Sequence, residues 1–339
     1  ELQINGASYE SQIATDPKAP SCQDPLQAIA VGRGHGDCRC RPLLACSSPM
    51  NYRHAFHAGN PADVMKHAIL ALLMTRLTAK PAPFAVLDTH AGIGRYDLTG
   101  DEATRTGEAA LGIQRLLQAA ETGTLAATPA EALAPYLDAV RAAAGQPTGP
   151  VSSYPGSPCL ARTFLRENDR LILAELHPED AQTLKGVFRG DRQVAVHHMD
   201  GWTALKAHLP PKEKRGLVLI DPPFEAADDF DRLVAGLALA HSRWPTGIYA
   251  LWYPIKDRAV SWRLHQRLED SGIPKILVAE LTWNDDARMD RLNGSGMILV
   301  NPPWQLDETL RQMLPALHEA LGFTKGIAHV EWVAGEHIA

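Results

Sequence analysis

From Phe84 to Val300 the chain alternates short apolar runs with helical stretches, and this alternation limits the folds open to it. Phe84–Asp88, Leu171–Leu173, Val194–Val196, Leu217–Ile220 and Ile248–Trp252 are too short for helices. Runs of this length, rich in Val, Ile and Leu, read as strands buried on both faces. The segments between most of them carry helical spacing, so the strands must lie parallel in one doubly wound sheet. Ile276–Leu281 and Met297–Val300 complete the set as a hairpin, giving an expected seven strands with the last antiparallel.

The central run, Gly216-Leu217-Val218-Leu219-Ile220, stops at Asp221-Pro222-Pro223-Phe224. Proline cannot donate to a sheet ladder, so the strand ends here and a stiff turn begins. A carboxylate and an aromatic ring are thereby held at the carboxyl end of a central strand, where open α/β sheets bind ligands. Amino-methyltransferases carry Asp/Asn-Pro-Pro-aromatic at this place, and residues 221–224 resemble that pattern. A base amine is a poor nucleophile because its lone pair is delocalised into the ring. Asp221 can accept one of its N–H groups and the Pro222 carbonyl the other, which turns the lone pair toward a methyl donor. Phe224 offers a flat face for a flipped base. The bland alternative is a strand-ending acid before a rigid turn.

Of 339 residues, 45% are apolar, enough for a sizeable core. Lys and Arg number 33 against 39 Asp and Glu, a net charge of −6 that argues against a general nucleic-acid coat but not against a local basic surface. No apolar run approaches membrane-spanning length, so no membrane association is expected. Cys22, Cys38, Cys40 and Cys46 cluster near the start and only Cys159 lies in the body, which fits a reducing cytosol. Residues 1–49 are rich in Gly, Pro, Ser and Cys, show no sustained period and precede Met50. They read as a disordered or non-native extension outside the fold. Their cysteines lack paired C-x2-C knuckles, so no metal site is expected.

Asn60-Pro61-Ala62-Asp63 is a helix start with cap, proline and acid in order. Met65, Ile69, Leu72 and Leu73 continue it at helical spacing, with Lys66 and His67 near its beginning; a His here is more often a surface or capping residue than a ligand. After the first strand, Thr89-His90-Ala91-Gly92-Ile93-Gly94 forms a glycine-bearing loop in which a ligand can approach the backbone. The third glycine of a dinucleotide fingerprint is absent, which suits a ligand without a pyrophosphate. Residues 101–150 are Ala- and Leu-rich and read as a small helical insertion between the first two strands. It either covers the sheet or forms a wall for a large substrate.

Three acids, Glu175, Asp200 and Asp221, stand just past the ends of consecutive strands. Each alone is an ordinary loop or cap acid. In order behind a glycine loop, they match a nucleoside cofactor: the first accepts from ribose hydroxyls, the second from an adenine amino group, and the third carries the reacting site. A second match, Asn301-Pro302-Pro303-Trp304, follows the antiparallel strand. Its end falls on the opposite sheet edge, so it is expected to be a structural turn into the helix at 306–321.

On these residues the body from about Met50 resembles the ribosomal RNA large-subunit methyltransferase J family, the 23S rRNA adenine-N6-methyltransferases. The resemblance runs through Tyr52 to Asn60, Lys66-His67, Leu87 to Gly92, Tyr154 to Pro158, Glu175 to Pro178, Asp221 to Phe224, Gly247 to Pro254 and Ser295 to Met297. It implies a Rossmann-like class I methyltransferase fold: α/β, doubly wound, with a mostly parallel seven-stranded sheet, an antiparallel strand and the small helical insertion. It implies S-adenosylmethionine as cofactor, held by His67, His90, Ser157, Glu175, Asp200 and Gly201. Asp221 would be catalytic and also touch the methyl donor, and Tyr52 would contact the RNA. Phe224 stands where relatives often have Tyr, so stacking survives and a hydroxyl contact does not.

The implied partner is 23S rRNA, bare or in an early assembly intermediate, met by a cytoplasmic monomer. A DNA adenine methyltransferase shares residues 221–224 in pattern, but no separate DNA-recognition domain is visible. A non-catalytic RNA-binding assembly factor is the reading from another class, and the intact acids speak against it. A nicotinamide oxidoreductase would need the missing glycine.

Overall fold

The computed structural model describes residues 54–284 and 291–335. Tyr52, Met50 and the four early cysteines lie outside them. A 3-10 turn at His54–Phe56 leads to α1 (Pro61–Thr78) and β1 (Ala85–Asp88). Then come β2 (Arg95–Asp97), the helices α2 (Asp101–Thr106), α3 (Glu108–Leu111), α4 (Ile113–Glu121) and α5 (Ala127–Ala144), and β3 (Ser153–Pro155). Next are α6 (Ser157–Thr163), β4 (Arg170–Glu175), α7 (Pro178–Val187), β5 (Val194–His198), α8 (Gly201–His208) and β6 (Gly216–Ile220). The chain closes with α9 (Asp229–Arg243), β7 (Ile248–Ile255), α10 (Arg258–Asp270), β8 (Ile276–Thr282), β9 (Gly294–Val300), α11 (Leu306–Ala320) and β10 (Ala328–Ala334).

The main sheet runs β10-β8-β9-β7-β6-β1-β4-β5. Strands β5, β4, β1, β6 and β7 pair in parallel, and β9 slots antiparallel between β7 and β8. The expected seven strands become eight, because β10 pairs antiparallel on the outer side of β8. Its sequence from Ala328 to Trp332, Ala328-His329-Val330-Glu331-Trp332, alternates apolar and polar as a half-exposed edge strand does. Seven strands read as continuous apolar runs; the eighth carries a different signal.

Parallel pairing puts the carboxyl ends of five strands along one edge, and the strand order reverses between the neighbours β1 and β6. One core lies between the sheet and α1, α5, α6, α7 and α11, and a second between the sheet and α8, α9 and α10. Helix α1 is buried around nearly its whole circumference. A helix apolar on all sides needs cover on all sides. The sheet covers one flank and α5 of the insertion the other.

The insertion leaves and rejoins through a short antiparallel ladder, with Arg95 opposite Pro155, Tyr96 opposite Tyr154 and Asp97 opposite Ser153. Closing the excursion on itself lets β1 and α6 keep their places beside each other. Three-residue strands carry no readable period, so this ladder is silent in the sequence. No helix among the described residues is long and apolar enough to cross a membrane.

Candidate active site

Strand β6 is buried throughout and delivers Asp221 to the edge with its side chain 16% exposed. At Phe224 the backbone turns into the left-handed region, at φ 52°. The Phe224 ring meets Trp252 edge-on with centroids 5.7 Å apart and leans on Phe230 at 4.9 Å. Trp252 is held in turn by its Nε1–H, which donates to the buried Ser295 hydroxyl at 2.7 Å. A carboxylate beside an aromatic wall is the surface a purine amine needs.

Helix α1 supplies the partner of Asp221. Asn60 caps the helix by accepting from the Asp63 N–H at 2.9 Å. Asp63 and Lys66, three residues apart, then share a face. Lys66 Nζ donates to Asp221 Oδ2 at 2.5 Å and lies 2.9 Å from Asp63 Oδ1. Asp63 Oδ2 accepts from the Gly59 N–H at 3.0 Å and lies 2.9 Å from His54 Nε2. Burial opposes the charge of Lys66, but Asp221 and Asp63 outweigh it and hold the ammonium well above its ordinary pKa. Burial likewise works against an ionised Asp63, yet His54 and Lys66 keep its carboxyl well below the ordinary value. The ammonium also lies 5.8 Å from the centroid of the Trp252 ring.

Beside this centre lies the glycine loop. Asp88 ends β1; its Oδ2 accepts from the Ser157 hydroxyl at 2.6 Å and its Oδ1 from the His90 N–H at 3.3 Å. Burial raises the Asp88 carboxyl to about 7, with Asp221 adding to the effect and the Ser157 hydrogen bond opposing it. Glu175 ends β4, and its two oxygens accept from the N–H groups of Gly92 at 2.8 Å and His177 at 2.7 Å. Gly92 sits at φ 59°, which lets the loop fold back onto that carboxylate. Asp200 caps α8, accepting from the Thr203 N–H at 2.8 Å through Oδ2. Gly201 follows, and a Cβ there would lie 2.4 Å from the Thr89 carbonyl, so only glycine allows α8 to start against the loop. His90 packs edge-on against Trp202 at 5.7 Å, and burial lowers its pKa to about 4.

His90, Ser157, Glu175, Asp200, Gly201 and Asp221 thus gather on one edge. His67 is neither at the surface nor a cap. It is 1% exposed, because α1 is enclosed on all sides, and its Nδ1 is bonded to the Tyr154 hydroxyl at 2.7 Å. Asn301 is placed as expected: its side-chain amide donates to the carbonyls of Pro245 and Gly247 at 2.8 Å each, at the opposite edge of the sheet. The sequence reading assigned no role to Lys66 or Asp63. Their spacing on a capped helix was visible, but nothing local shows that the helix faces β6. Tyr52 lies outside the described residues.

The acceptors here suit a nucleoside carrying a cation. Glu175 has capacity beyond its two backbone bonds, and Asp200 Oδ1 makes no hydrogen bond among the described residues. Neutral His67 and His90 can donate, and the acids favour a positive centre nearby.

A family model described as "Ribosomal RNA large subunit methyltransferase D, RlmJ" matches residues 81–334. "Ribosomal RNA large subunit methyltransferase J" of Escherichia coli K12 is 44% identical over 288 residues, 85% of this chain and 100% of that protein. Its namesake in Haemophilus influenzae is 40% identical over the same shares of both chains. A solved protein from Legionella pneumophila is 31% identical and superposes with a TM-score of 0.73, covering 81% of this chain and 98% of that one.

Proposed function

The chain belongs to the RlmJ family of ribosomal RNA large subunit methyltransferases, and from that premise we propose that Asp221 and Phe224 present an adenine of 23S rRNA for methylation at N6. The chain is an S-adenosylmethionine-dependent rRNA methyltransferase. When bound, the cofactor supplies a methyl group already activated on a sulfonium. The residues of the chain then need only to hold and orient the acceptor.

The observation that carries this reading is the Lys66–Asp221 contact at the end of β6. Lys66 engages Oδ2 and fixes the carboxylate, while Oδ1 makes no hydrogen bond among the described residues. That oxygen can accept one amine N–H, and the Pro222 carbonyl can accept the other. The lone pair is then turned out of conjugation, while Phe224 and Trp252 hold the base plane. No strong base is needed, since the amine becomes acidic once methylated and releases its proton to water. On the cofactor side, Glu175 would hold the ribose hydroxyls, Asp200 and Gly201 the adenine end, and His67, His90 and Ser157 the rest. Tyr52 would contact the RNA. The chain would act as a monomer in the cytosol, on bare 23S rRNA or an early assembly intermediate.

The test is mass spectrometry of large-subunit rRNA from cells carrying wild-type chain, Asp221→Ala or none. We expect N6-methyladenine only with wild type. A methyl group on cytosine, or one that persists with Asp221→Ala, overturns the assignment.

A further inference from the structure

Three buried side chains from three elements form one line of hydrogen bonds. The Tyr136 hydroxyl, on α5 of the insertion, lies 2.9 Å from the Tyr154 hydroxyl on β3. The Tyr154 hydroxyl lies 2.7 Å from His67 Nδ1, and the two rings stack with centroids 5.5 Å apart. None of the three is more than 1% exposed, and neither phenol makes another hydrogen bond among the described residues. Burial lowers the His67 pKa to about 3 and raises both phenols, so the ring carries one proton and each phenol keeps its own.

The two hydrogen bonds use two of the three protons, and where the third is left decides the direction of the line. If His67 carried its proton on Nδ1, it would donate to Tyr154, and Tyr154 to Tyr136. The Tyr136 proton would then be buried without an acceptor, which costs as much as breaking a buried hydrogen bond. In the other direction Tyr136 donates to Tyr154 and Tyr154 donates to Nδ1, and the spare proton is the imidazole's, at an atom that is not wholly enclosed. The imidazole proton is then on Nε2, which makes no hydrogen bond among the described residues.

We propose that Tyr154, backed by Tyr136 of the helical insertion, fixes His67 as an Nε2–H donor for an acceptor atom of bound S-adenosylmethionine. Tyr154 and Tyr136 are positioning residues, acting through His67. The donor role rests on the reading that His67 belongs to the cofactor site. The insertion thereby does more than cover α1, because one of its side chains helps set a tautomer next to the Lys66–Asp221 pair. Donation from Tyr136 also strengthens Tyr154 as a donor, as happens along chains of hydrogen bonds.

The experiment is 15N NMR of the histidine rings in the cofactor-free full chain, with His67→Gln identifying the signal, alongside calorimetry of S-adenosylmethionine binding. We expect the Nε2–H tautomer in wild type and in Tyr136→Phe, and its loss or mixing with Nδ1–H in Tyr154→Phe. Tyr154→Phe should weaken cofactor binding by roughly five- to tenfold, with kcat at saturating cofactor near wild type, and Tyr136→Phe by less. Once His67→Gln has identified the signal, an Nδ1–H form in wild type overturns the proposal even if neither tyrosine variant folds. So does a Tyr154→Phe chain with unchanged tautomer and affinity. If the tautomers are as stated but His67→Gln binds cofactor like wild type, the placement of His67 at the cofactor is what falls.

Discussion

Lys66 Nζ and Asp221 Oδ2 lie 2.5 Å apart although 155 residues separate them in the chain. Asp63 on the other side of the ammonium makes this a buried line of two carboxylates around one cation, shared by the helix that opens the fold and the turn that carries the chemistry. Stability and activity therefore depend on different members of the line. Lys66→Met leaves Asp63 buried without its cation and should cost about 3–5 kcal/mol. Asp221→Ala leaves Lys66 paired with Asp63 at a partly exposed site and should cost much less, while methyl transfer is lost. Urea unfolding of both variants checks this, and equal losses of stability would refute it.

Glu175→Ala should weaken S-adenosylmethionine binding by on the order of 2–3 kcal/mol, because ribose hydroxyls would lose a charged acceptor. The Gly92 and His177 N–H groups also lose their partner. Calorimetry on the folded variant is the measurement; unchanged affinity would remove Glu175 from the cofactor site.

The Asp88 carboxyl, raised from 3.8 to about 7 mainly by burial, gives the cofactor-free protein a pH dependence of known sign. Between these values the folded chain keeps a proton that the unfolded chain has released. Its contribution is thus fully present below 3.8 and lost as pH rises through about 7. Stability should fall across that window by up to about 1.4 kcal/mol per pH unit from this group. Asp88→Asn should flatten the slope in denaturant titrations at several pH values; an unchanged slope would assign it to other groups.

Asn301→Ala is the contrasting case. It removes two hydrogen bonds to the Pro245 and Gly247 carbonyls and puts alanine at φ 52°. A loss of about 1–3 kcal/mol in stability is expected, with methyl transfer unchanged once the chain is folded. A variant of full stability but no turnover would place the second Pro-Pro turn in the mechanism.

The parallel strands, the glycine loop, the acids after them and the Asp221 turn were legible in the sequence because each depends on local chemistry. Apolar runs must be buried, proline ends a ladder, glycine bends tightly, and a cap sits beside the helix it starts. The opposite placement of the two Pro-Pro turns followed from strand order taken with the methyltransferase topology. Other features depend on which faces meet, and no local pattern encodes that. The tertiary structure pressed α1 against the end of β6, turning Lys66 from a residue near a helix start into the partner of Asp221. It enclosed that helix beneath the insertion, so that His67, whose place in the sequence reads as a surface or capping position, is buried against Tyr154, with Tyr136 behind it. It also laid an alternating strand, β10, on the edge of β8. A charge or a tautomer is set by what surrounds it, and here those surroundings come from distant parts of the chain.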